Sequence, residues 1–484
     1  MGRLVHDEGW RVMGRRLTEG RAARRGGGRT AVVVLAAAVC AVAGLPGQAA
    51  AAGTPSPYAF AEGAEVVAGA TSNVEGHRLV PGATYKSSLP RAGQRFYRLE
   101  LKAKESAYVS ATAVPKLGTR VSYSDGLKVS VQDADGYNCS PLDSEKARFG
   151  SSESARPITA TASRRVGPEE KSCKGAGTYY VLVERTSDPA SGQEDWDLEL
   201  RITSEPALRK RSATVPPESW DSASPEPPRG ERRLREGGTS FNKARGLGTG
   251  VWGDRIEPGE TRFYRVPVDW GQRLSIGAEL GSSTGGRLER DRGFVSTALV
   301  LSLTNPVRAQ VDDADTAYDG TQSSTALGPL PPVAYENRFA PADRVAATRF
   351  AGWYYLSVHL NPDVAGKFGR APLDVTLRVT VDGAARPGPE YAGSAKPADE
   401  FSVTERDTEA AQQGETAAGS RADGGDDRVM AVVAAGGIGT GVGLLAILGV
   451  WTLIARRRAA AAVALPGAAV PGAGPAQFGP PRGW

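Results

Sequence analysis

The stretch that decides the fold is LPRAGQRFYRL, residues 89–99, because a second copy, IEPGETRFYRV, stands at residues 256–266. Each copy has a Pro and a Gly at a turn and then Arg-Phe-Tyr-Arg, a short run typical of a β-strand. Three further pairs of segments match: residues 127–131 with 299–303, 176–183 with 351–358, and 197–203 with 374–380. Because both halves keep the same order, the pairs indicate an internal repeat.

The matched segments alternate apolar and polar residues with a period of two, as strands with one buried face do. Turn residues, at 133–136 and 258–259 for example, separate them. Short antiparallel strands bury their apolar faces most economically by packing as two sheets. The sequence therefore predicts an all-β fold of two tandem β-sandwich domains, in which four side chains of the first domain point inward: Phe96, Tyr180, Leu198 and Leu200.

Shifts in composition place the domain boundaries. A segment rich in Pro, Ser, Arg and Glu is typical of a linker, and an acidic Ala/Gly/Thr/Pro-rich segment predicts a disordered stem. The predicted order is a signal peptide, a first sandwich with an N-terminal extension, the linker, a second sandwich, the stem, a transmembrane helix and an Ala/Pro/Gly-rich tail, at residues 1–52, 53–203, 204–238, 239–382, 383–428, 429–455 and 456–484.

Two apolar segments predict how the chain meets a membrane. Residues 30–45 follow an Arg-rich leader and precede small residues, which is the pattern of a cleaved export signal. Residues 429–455 contain no charged residue, although charged residues flank them on both sides. The segment is long enough to cross the hydrocarbon core. Positive charge directly after that segment places the C-terminus in the cytoplasm, and it comes from Arg456, Arg457 and Arg458. We therefore expect a single-pass type I protein of the cell membrane with its bulk outside.

The basic pI of about 9.0 comes from the two ends of the chain. The first 30 residues contribute a net charge of +5 and the tail from Arg456 contributes +4, so residues 31–455 carry −4 of the total of +5. A nucleic-acid-binding protein would concentrate positive charge on its folded domains. The predicted extracellular region is mildly acidic instead, which argues against a nucleic-acid partner.

The cysteines predict one disulfide. Cys40 falls inside the predicted signal peptide, and Cys139 and Cys173 are the two cysteines that follow it. An even pair in an oxidising compartment predicts a bridge, which would stabilise the fold by about 3–4 kcal/mol according to its loop length. The alternative is two free buried thiols, which alkylation of the unreduced protein would label.

The inventory of catalytic side chains is thin. His77 and His359 are the histidines after the signal segment, and neither has a second His or Cys at the spacing of a zinc site. Residues 281–285, GSSTG, match the nucleophile-elbow pattern around Ser283, but that pattern requires a following helix, and none is predicted. The sequence therefore predicts a protein that is not an enzyme.

Two acidic clusters are the candidate metal sites, because calcium binds several carboxylate or carbonyl oxygens on one short loop. The alternative is ordinary turns, which Asp and Gly also favour. The sequence requires no cofactor and leaves calcium as the open option, with these candidate ligands: Asp133, Asp135 and Asn138 in the first half, and Asp312, Asp313, Asp315 and Asp319 in an equivalent loop of the second.

At the strands P-G-x-x-x-F-Y-R and G-x-Y-Y-V/L, each half resembles the bacterial pre-peptidase C-terminal family. The resemblance covers about residues 75–203 and 240–381 and implies jelly-roll-like sandwiches that serve as accessory binding modules, sometimes with calcium. This chain departs from the pattern in two ways. No protease domain precedes the modules, and both halves carry long insertions, at 133–175 and 305–351. The composition and the stem-plus-helix ending also resemble surface membrane proteins of high-GC Gram-positive bacteria.

These features predict a membrane-anchored, extracellular, non-catalytic binding or scaffolding protein. Its expected partner is an extracellular protein or a cell-wall polymer, contacted through Trp252, Trp270 or the insertion loops. The alternative is an accessory subunit of a membrane-embedded secretion or protease complex. That alternative rests on small residues at near-GxxxG spacing, which favour close helix packing: Gly437, Gly439, Gly441 and Gly443.

Overall fold

Two β-sandwiches account for most of the computed structural model, which describes residues 57–418 except 92, 140–144, 168–169, 171, 211–212, 216–218, 224 and 284–292. Within that described part, no helix is long and apolar enough to cross a membrane. The predicted signal peptide, transmembrane helix and tail lie outside the described residues. The same holds for the arginines at 456–458 and the glycines at 437–443.

The first sandwich consists of two five-stranded sheets, with strand orders β1-β3-β10-β5-β8 and β2-β4-β9-β6-β7. All pairings are antiparallel except those of the short edge strands β1 and β2. The strands are β1 Glu65–Val66, β2 His77–Leu79, β3 Thr84–Leu89, β4 Gln94–Leu101, β5 Glu105–Val114, β6 Gly126–Gln132, β7 Lys146–Arg148, β8 Ile158–Arg164, β9 Gly177–Thr186 and β10 Trp196–Pro206.

The second sandwich repeats this plan, with strand orders β11-β13-β20-β15-β18 and β12-β14-β19-β16-β17. Its strands are β11 Arg233–Leu234, β12 Arg245–Gly246, β13 Gly250–Ile256, β14 Thr261–Val268, β15 Arg273–Leu280, β16 Val295–Thr304, β17 Gln310–Tyr318, β18 Ser323–Ala326, β19 Gly352–Leu360 and β20 Leu373–Asp382. Three short α-helices are α1 Asp343–Ala347, α2 Asp363–Phe368 and α3 Glu405–Gln413, and 3-10 turns lie at Gly150–Ser152, Phe241–Lys243 and Tyr335–Phe339.

The internal repeat is visible in the topology. Every strand of the first sandwich has a counterpart in the same sheet position of the second, and the two Arg-Phe-Tyr-Arg runs form β4 and β14. Register agrees as well, since Arg98 pairs with Tyr180 and Arg265 pairs with Tyr355. The all-β prediction is confirmed for the described residues.

The orientation of the aromatic residues differs from the prediction in the first sandwich. Tyr97 and Tyr179 are buried, whereas Phe96 and Tyr180 are half-buried on the outer face. Adjacent aromatic residues occupy opposite faces of a strand, so the pattern alone does not choose between them. Inside, the Tyr97 hydroxyl lies 2.8 Å from Ser87 Oγ, and that hydrogen bond makes the tyrosine the better core residue. The inward placement of Leu198 and Leu200 is confirmed.

The predicted disulfide is confirmed. Cys139 and Cys173 are bonded, and both are buried against the core of the first sandwich. The bridge ties the turn after β6 to the segment before β9, so it closes the long insertion of the first half. By the loop-entropy argument this bond stabilises the fold by about 3–4 kcal/mol.

The outer face of β10 carries charged side chains that are buried against the second sandwich. Glu199, which is fully buried, accepts a hydrogen bond from Arg308 Nη1 at 2.6 Å and another from Asn242 Nδ2 at 2.8 Å. The Tyr58 hydroxyl donates to the same carboxylate at 3.1 Å. Since Arg308 is also buried, the two charges compensate each other in a place that water does not reach.

Two more buried pairs continue this row along β10. Arg201 Nη2 lies 2.5 Å from Glu400 Oε2, and Glu205 Oε1 accepts from Arg338 Nη2 at 2.8 Å. The Tyr391 hydroxyl also donates to Glu205, at 3.0 Å. Burial opposes ionisation of Glu205, but Arg338 and the hydrogen bonds outweigh it, so the pKa of Glu205 lies below its usual value. We call the three residues Glu199, Arg201 and Glu205 the β10 charge row.

The predicted disordered stem is wrong for residues 383–418, which we call the C-terminal strap. Its backbone bridges Leu208 at Tyr391 and Arg245 at Thr416. The Phe401 ring stacks on Phe350 with centroids 4.6 Å apart. These buried rings and backbone hydrogen bonds compensate for a composition that by itself would not fold.

The predicted linker is also partly structured. β10 extends to Pro206, beyond the predicted end of the first domain, and β11 lies in a sheet of the second sandwich. The described part of the linker therefore adds strands to both domains.

Replacing Glu199 by Ala should lower the free energy of unfolding by about 3–5 kcal/mol, because Arg308 would remain buried without its partner. Denaturant titration measures this change. Glu226→Ala is the matched control, since Glu226 pairs with Arg229 at an exposed site, and there we expect a loss below about 1 kcal/mol. Equal effects of the two substitutions would contradict the role assigned to the β10 charge row.

Candidate functional site

The first predicted calcium cluster forms a turn in which Asp133 and Asn138 hydrogen-bond within the chain. Asp133 Oδ1 accepts hydrogen bonds from the backbone amides of Asp135, at 3.1 Å, and Tyr137, at 2.9 Å. Asn138 Nδ2 donates to both carboxylate oxygens of Glu145 at 3.1–3.2 Å. This arrangement stabilises the turn that leads into Cys139.

The second predicted cluster is not a loop, because three of its four aspartates belong to strand β17 and the fourth follows it. Neighbouring strand residues point to opposite faces, so Asp312 lies on the other face of β17 from Asp313 and Asp315. Asp312 forms an ion pair with Arg344 at 2.8 Å, whereas Asp313 accepts from Gln310 at 2.7 Å. No group of three or more metal-binding side chains occurs among the described residues. The structure therefore brings only Asp313 and Asp315 to one face and does not gather the four candidate ligands into one site: Asp312, Asp313, Asp315 and Asp319.

Ser283 and His359, the residues considered for catalysis, lie in different surroundings. Ser283 contacts the carbonyl oxygen of Gly320 through its amide, at 3.1 Å. His359 is buried at the seam between the sandwiches, where its Nε2 lies 2.6 Å from Ser154 Oγ and its Nδ1 lies 2.9 Å from Thr261 Oγ1.

The Ser154–His359 pair is a poor arrangement for nucleophilic catalysis. Burial, reinforced by the nearby charge of Arg156, lowers the pKa of His359 to about 3. An imidazole with so low a pKa is a weak base at neutral pH, and the group on Nδ1 is a hydroxyl where a carboxylate would be needed. The pair instead links β19 to the insertion of the first sandwich.

The tryptophans proposed as contact residues are core residues. Trp252 is 1% exposed and Trp270 is 7% exposed. Trp220, which stands in the predicted linker, is half-buried and faces a cleft. A tryptophan inside a polar Pro/Ser-rich segment is the sequence signal that could have identified this residue, since such segments rarely need a large apolar side chain.

This cleft, the Trp220 groove, has a volume of about 1070 Å³ and lies beside the second sandwich. Three segments line it: the linker at 208–210 and 219–222, the insertion at 331–345, and the end of β20 with the start of the C-terminal strap at 382–390. The insertion loop of the second half was one of the predicted contact surfaces, and the structure places it in the wall of the groove. The other two segments were expected to have no fixed structure.

Hydrogen bonds from the second sandwich fix each wall. Arg273 donates through Nη2 to Asp382 Oδ2 at 3.0 Å and through Nη1 to the carbonyl oxygen of Asp221 at 2.7 Å. The backbone of Val333 exchanges two hydrogen bonds of 2.8 Å with the turn at 271–272. Arg273 thereby ties the linker to the end of β20, from which the strap continues.

The floor of the groove requires a glycine. Gly388 packs against the indole of Trp270, and a Cβ atom at that position would lie 2.3 Å from Trp270 Nε1. The amide of Arg386 also donates to the carbonyl oxygen of Trp270 at 2.8 Å. Close backbone approach therefore keeps the strap on the groove floor.

The lining suits an extended ligand with both apolar and polar groups. Two half-buried aromatic rings line the groove, Trp220 and Tyr335, and the Arg338 guanidinium covers one face of the Tyr335 ring, 3.4 Å from its centroid. Side chains of both charges stand among them. Ligand sites in proteins commonly combine an apolar lining with a few placed polar groups. Five prolines stiffen the walls: Pro331, Pro332, Pro341, Pro387 and Pro389.

No known family model matches this chain, and neither does any curated protein. Among solved structures, the pre-peptidase C-terminal domain of collagenase from Bacillus anthracis is 16% identical, covers 26% of this chain and 94% of its own, and gives a TM-score of 0.16. The tandem CBM22 domain of Xyn10C from Paenibacillus barcinonensis is 10% identical, with 62% and 87% covered and a TM-score of 0.18. These are weak similarities to a pre-peptidase C-terminal domain and to carbohydrate-binding β-sandwich modules.

The buried imidazole of His359 should make stability depend on pH. Its pKa in the folded state is about 3, against about 6.5 when the chain is unfolded, so the unfolded state binds the extra proton between these values. The free energy of unfolding should therefore fall as pH drops from about 6.5 towards 3, with a contribution of up to about 1.4 kcal/mol per pH unit.

Comparison of His359→Gln with the wild type isolates this contribution in denaturant titrations across that pH range. At pH 5, unfolding of the variant should take up about one proton fewer than unfolding of the wild type. Ser154→Ala is the control, because it removes a hydrogen bond and leaves the imidazole buried, so it should keep the wild-type slope. Parallel pH profiles of wild type and His359→Gln would exclude the effect.

Proposed function

We propose that this chain is a surface-anchored, non-catalytic binding protein that holds an extended segment of an extracellular protein or cell-wall polymer in the Trp220 groove. The observation that carries the proposal is the groove itself, a cleft of about 1070 Å³ with aromatic residues and residues of both charges in its lining. Its size exceeds the upper end, about 1,000 Å³, of ordinary small-molecule sites. A polymer segment therefore suits it better than a metabolite.

The construction of the groove supports binding without catalysis. Its walls come from segments outside the repeated strands, which is where folds commonly carry binding residues on a rigid scaffold. The wall formed by residues 331–345 is held from behind by Asn337, whose Nδ2 donates to the carbonyl oxygens of Pro332 at 2.9 Å and Thr348 at 3.0 Å. A wall fixed in advance costs a ligand little ordering entropy.

Anchoring at the surface is supported by sequence alone. The predicted signal peptide and the uncharged segment at 429–455 fit an exported chain retained in the membrane. The C-terminal strap leads from the groove towards that segment. A fixed strap would couple the binding site to the anchor.

Trp220→Ala should weaken capture of the ligand by about tenfold or more, because aromatic anchors at the centre of a site carry much of the binding energy. The full-length chain in detergent is immobilised and exposed to cell-wall fractions and secreted proteins, and the retained component is quantified. Tyr335→Ala should act in the same direction. Tyr123→Ala, which alters an exposed aromatic residue outside the groove, should leave capture unchanged. Retention that is equal for all variants, or no retention, would refute the proposal.

The anchor has its own test. The full-length chain should remain in the membrane pellet after an alkaline wash, because a spanning helix resists extraction. A chain that ends at residue 428 should appear in the soluble fraction. Release of both forms by the wash would contradict a membrane-spanning segment at 429–455.

A further inference from the structure

A second recess lies between the two sandwiches, on the outer face of the sheet that contains β14, β19, β16 and β17. Because alternate residues of a strand share one face, the register determines what this face presents. β16 and β19 contribute three neighbouring pairs: Val300 with His359, Ser302 with Ser357, and Thr304 with Tyr355. β17 adds Asp313 beside Ser302 and Asp315 beside Val300. The face is therefore rich in hydroxyls and carboxylates.

The insertion of the first sandwich covers this face and leaves a cavity of about 280 Å³, which we call the inter-sandwich cavity. Lys146 and Arg148 line it from β7. Arg156 lines it as well, and its guanidinium is fixed by hydrogen bonds to the carbonyl oxygens of Phe149, at 3.0 Å, and Ser154, at 3.1 Å. The volume is slightly below the range of about 300–1,000 Å³ typical of small-molecule sites, so only a small ligand fits.

The two sides of the cavity carry opposite charge. The first sandwich supplies Lys146 and Arg148, and the second supplies Asp313 and Asp315. Within the described part of the chain, Lys146, Arg148 and Asp315 form no ion pair, although charges of both signs line one cavity. Asp313 accepts a hydrogen bond from Gln310, and the nearby charge of Arg156 compensates it in part, so Asp315 is the carboxylate without a compensating partner among the described residues of the cavity. Opposite charges that do not neutralise each other directly favour a ligand that carries both signs.

The base of the cavity contains a hydroxyl without a partner. Thr304 is 6% exposed, and its Oγ1 has no hydrogen-bond partner among the described residues. A buried hydroxyl in this state costs free energy, which a bound polar molecule recovers by hydrogen bonding to it. The cavity therefore favours a polar occupant over an apolar one.

We infer that the inter-sandwich cavity binds a small zwitterion, such as a free amino acid or a dipeptide, at a site separate from the Trp220 groove. The carboxylate of the ligand contacts the side of Lys146 and Arg148, and its ammonium group contacts the side of Asp313 and Asp315. An anion would be repelled by the carboxylates, and a cation would be repelled by the basic side. Both charges on one ligand satisfy both sides.

Titration calorimetry of the full-length chain in detergent, at low ionic strength, tests this inference with alanylalanine as the probe. Two capped forms of the probe are matched controls: the N-acetylated dipeptide lacks the ammonium group, and the C-terminal amide lacks the carboxylate. Each capped form should bind about fivefold more weakly, as expected for one solvent-accessible ion pair. Glucose, a polyol without charge, should give no heat.

Variants assign each charge to its side. Asp315→Asn should weaken binding of the free dipeptide about fivefold and should not weaken binding of the N-acetylated form, because that form has no ammonium group for Asp315 to contact. Arg148→Gln should also weaken binding of the free dipeptide about fivefold. It should not weaken binding of the C-terminal amide, which has no carboxylate for Arg148 to contact. Asp195→Asn and Arg120→Gln alter exposed residues that do not line the cavity and should change nothing.

Unchanged thermal unfolding of each variant shows that its fold is intact. Equal binding of free and capped dipeptides, binding of glucose in their place, or no heat with any probe would overturn the inference. Because Arg148 and Asp315 do not line the Trp220 groove, weaker binding in these two variants assigns the dipeptide to the inter-sandwich cavity and is independent of polymer binding.

Discussion

The β10 charge row is the constraint on which the relative placement of the two sandwiches depends. Glu199, Arg201 and Glu205 are buried in the first sandwich's outer face, and each finds its opposite charge beyond that sandwich, on Arg308, Glu400 and Arg338. A buried charge without a partner is costly, whereas a paired one is tolerated. The first sandwich therefore cannot leave the second without exposing or orphaning three charges. Such pairs select one docking geometry more effectively than an apolar patch of similar area would.

That fixed docking creates both recesses. The inter-sandwich cavity exists only because the insertion of the first half rests on the polar sheet face of the second. The Trp220 groove has a related origin, since its strap wall ends at residue 390, just before Tyr391 donates to Glu205 and Lys396 pairs with Ser204. The strap is thus held at one end by the first sandwich and at the other by Arg245 and Arg265 of the second. Both recesses therefore depend on segments outside the repeated strands.

Sequence reasoning predicted the repeat, the strands and the disulfide, because each leaves a local mark: matched turn-and-strand motifs, period-two alternation and an even pair of cysteines. It failed where distant segments meet. In sequence, the charged residues of the β10 charge row alternate with buried apolar residues, which is the pattern of a strand with one solvent-exposed face. No local feature of the sequence shows that the second sandwich covers this face. The aspartates of β17 looked like a loop because their density resembles turn composition, although Val311 and Tyr318 mark it as a strand with a buried face.

The same limit explains the candidate site. The sequence predicts Trp252 and Trp270 as contact residues, yet both fill the core of the second sandwich. Trp220 was overlooked because its neighbours are typical of a linker. The strap has too little apolar residue content to fold unaided, and it is ordered through Phe401, Tyr391 and the short helix α3, which all pack on surfaces that the sequence does not reveal.

The ordered strap also sets how far the protein can extend. With structure as far as residue 418, the chain has only residues 419–428 before the apolar segment, and even fully extended they span about 35 Å at most. On the proposed topology, the extracellular domains therefore stay close to the lipid surface. Polymers and proteins would reach its groove only after they have come near the membrane. A longer segment at 419–428 would place the groove in a layer of the envelope farther from the lipid.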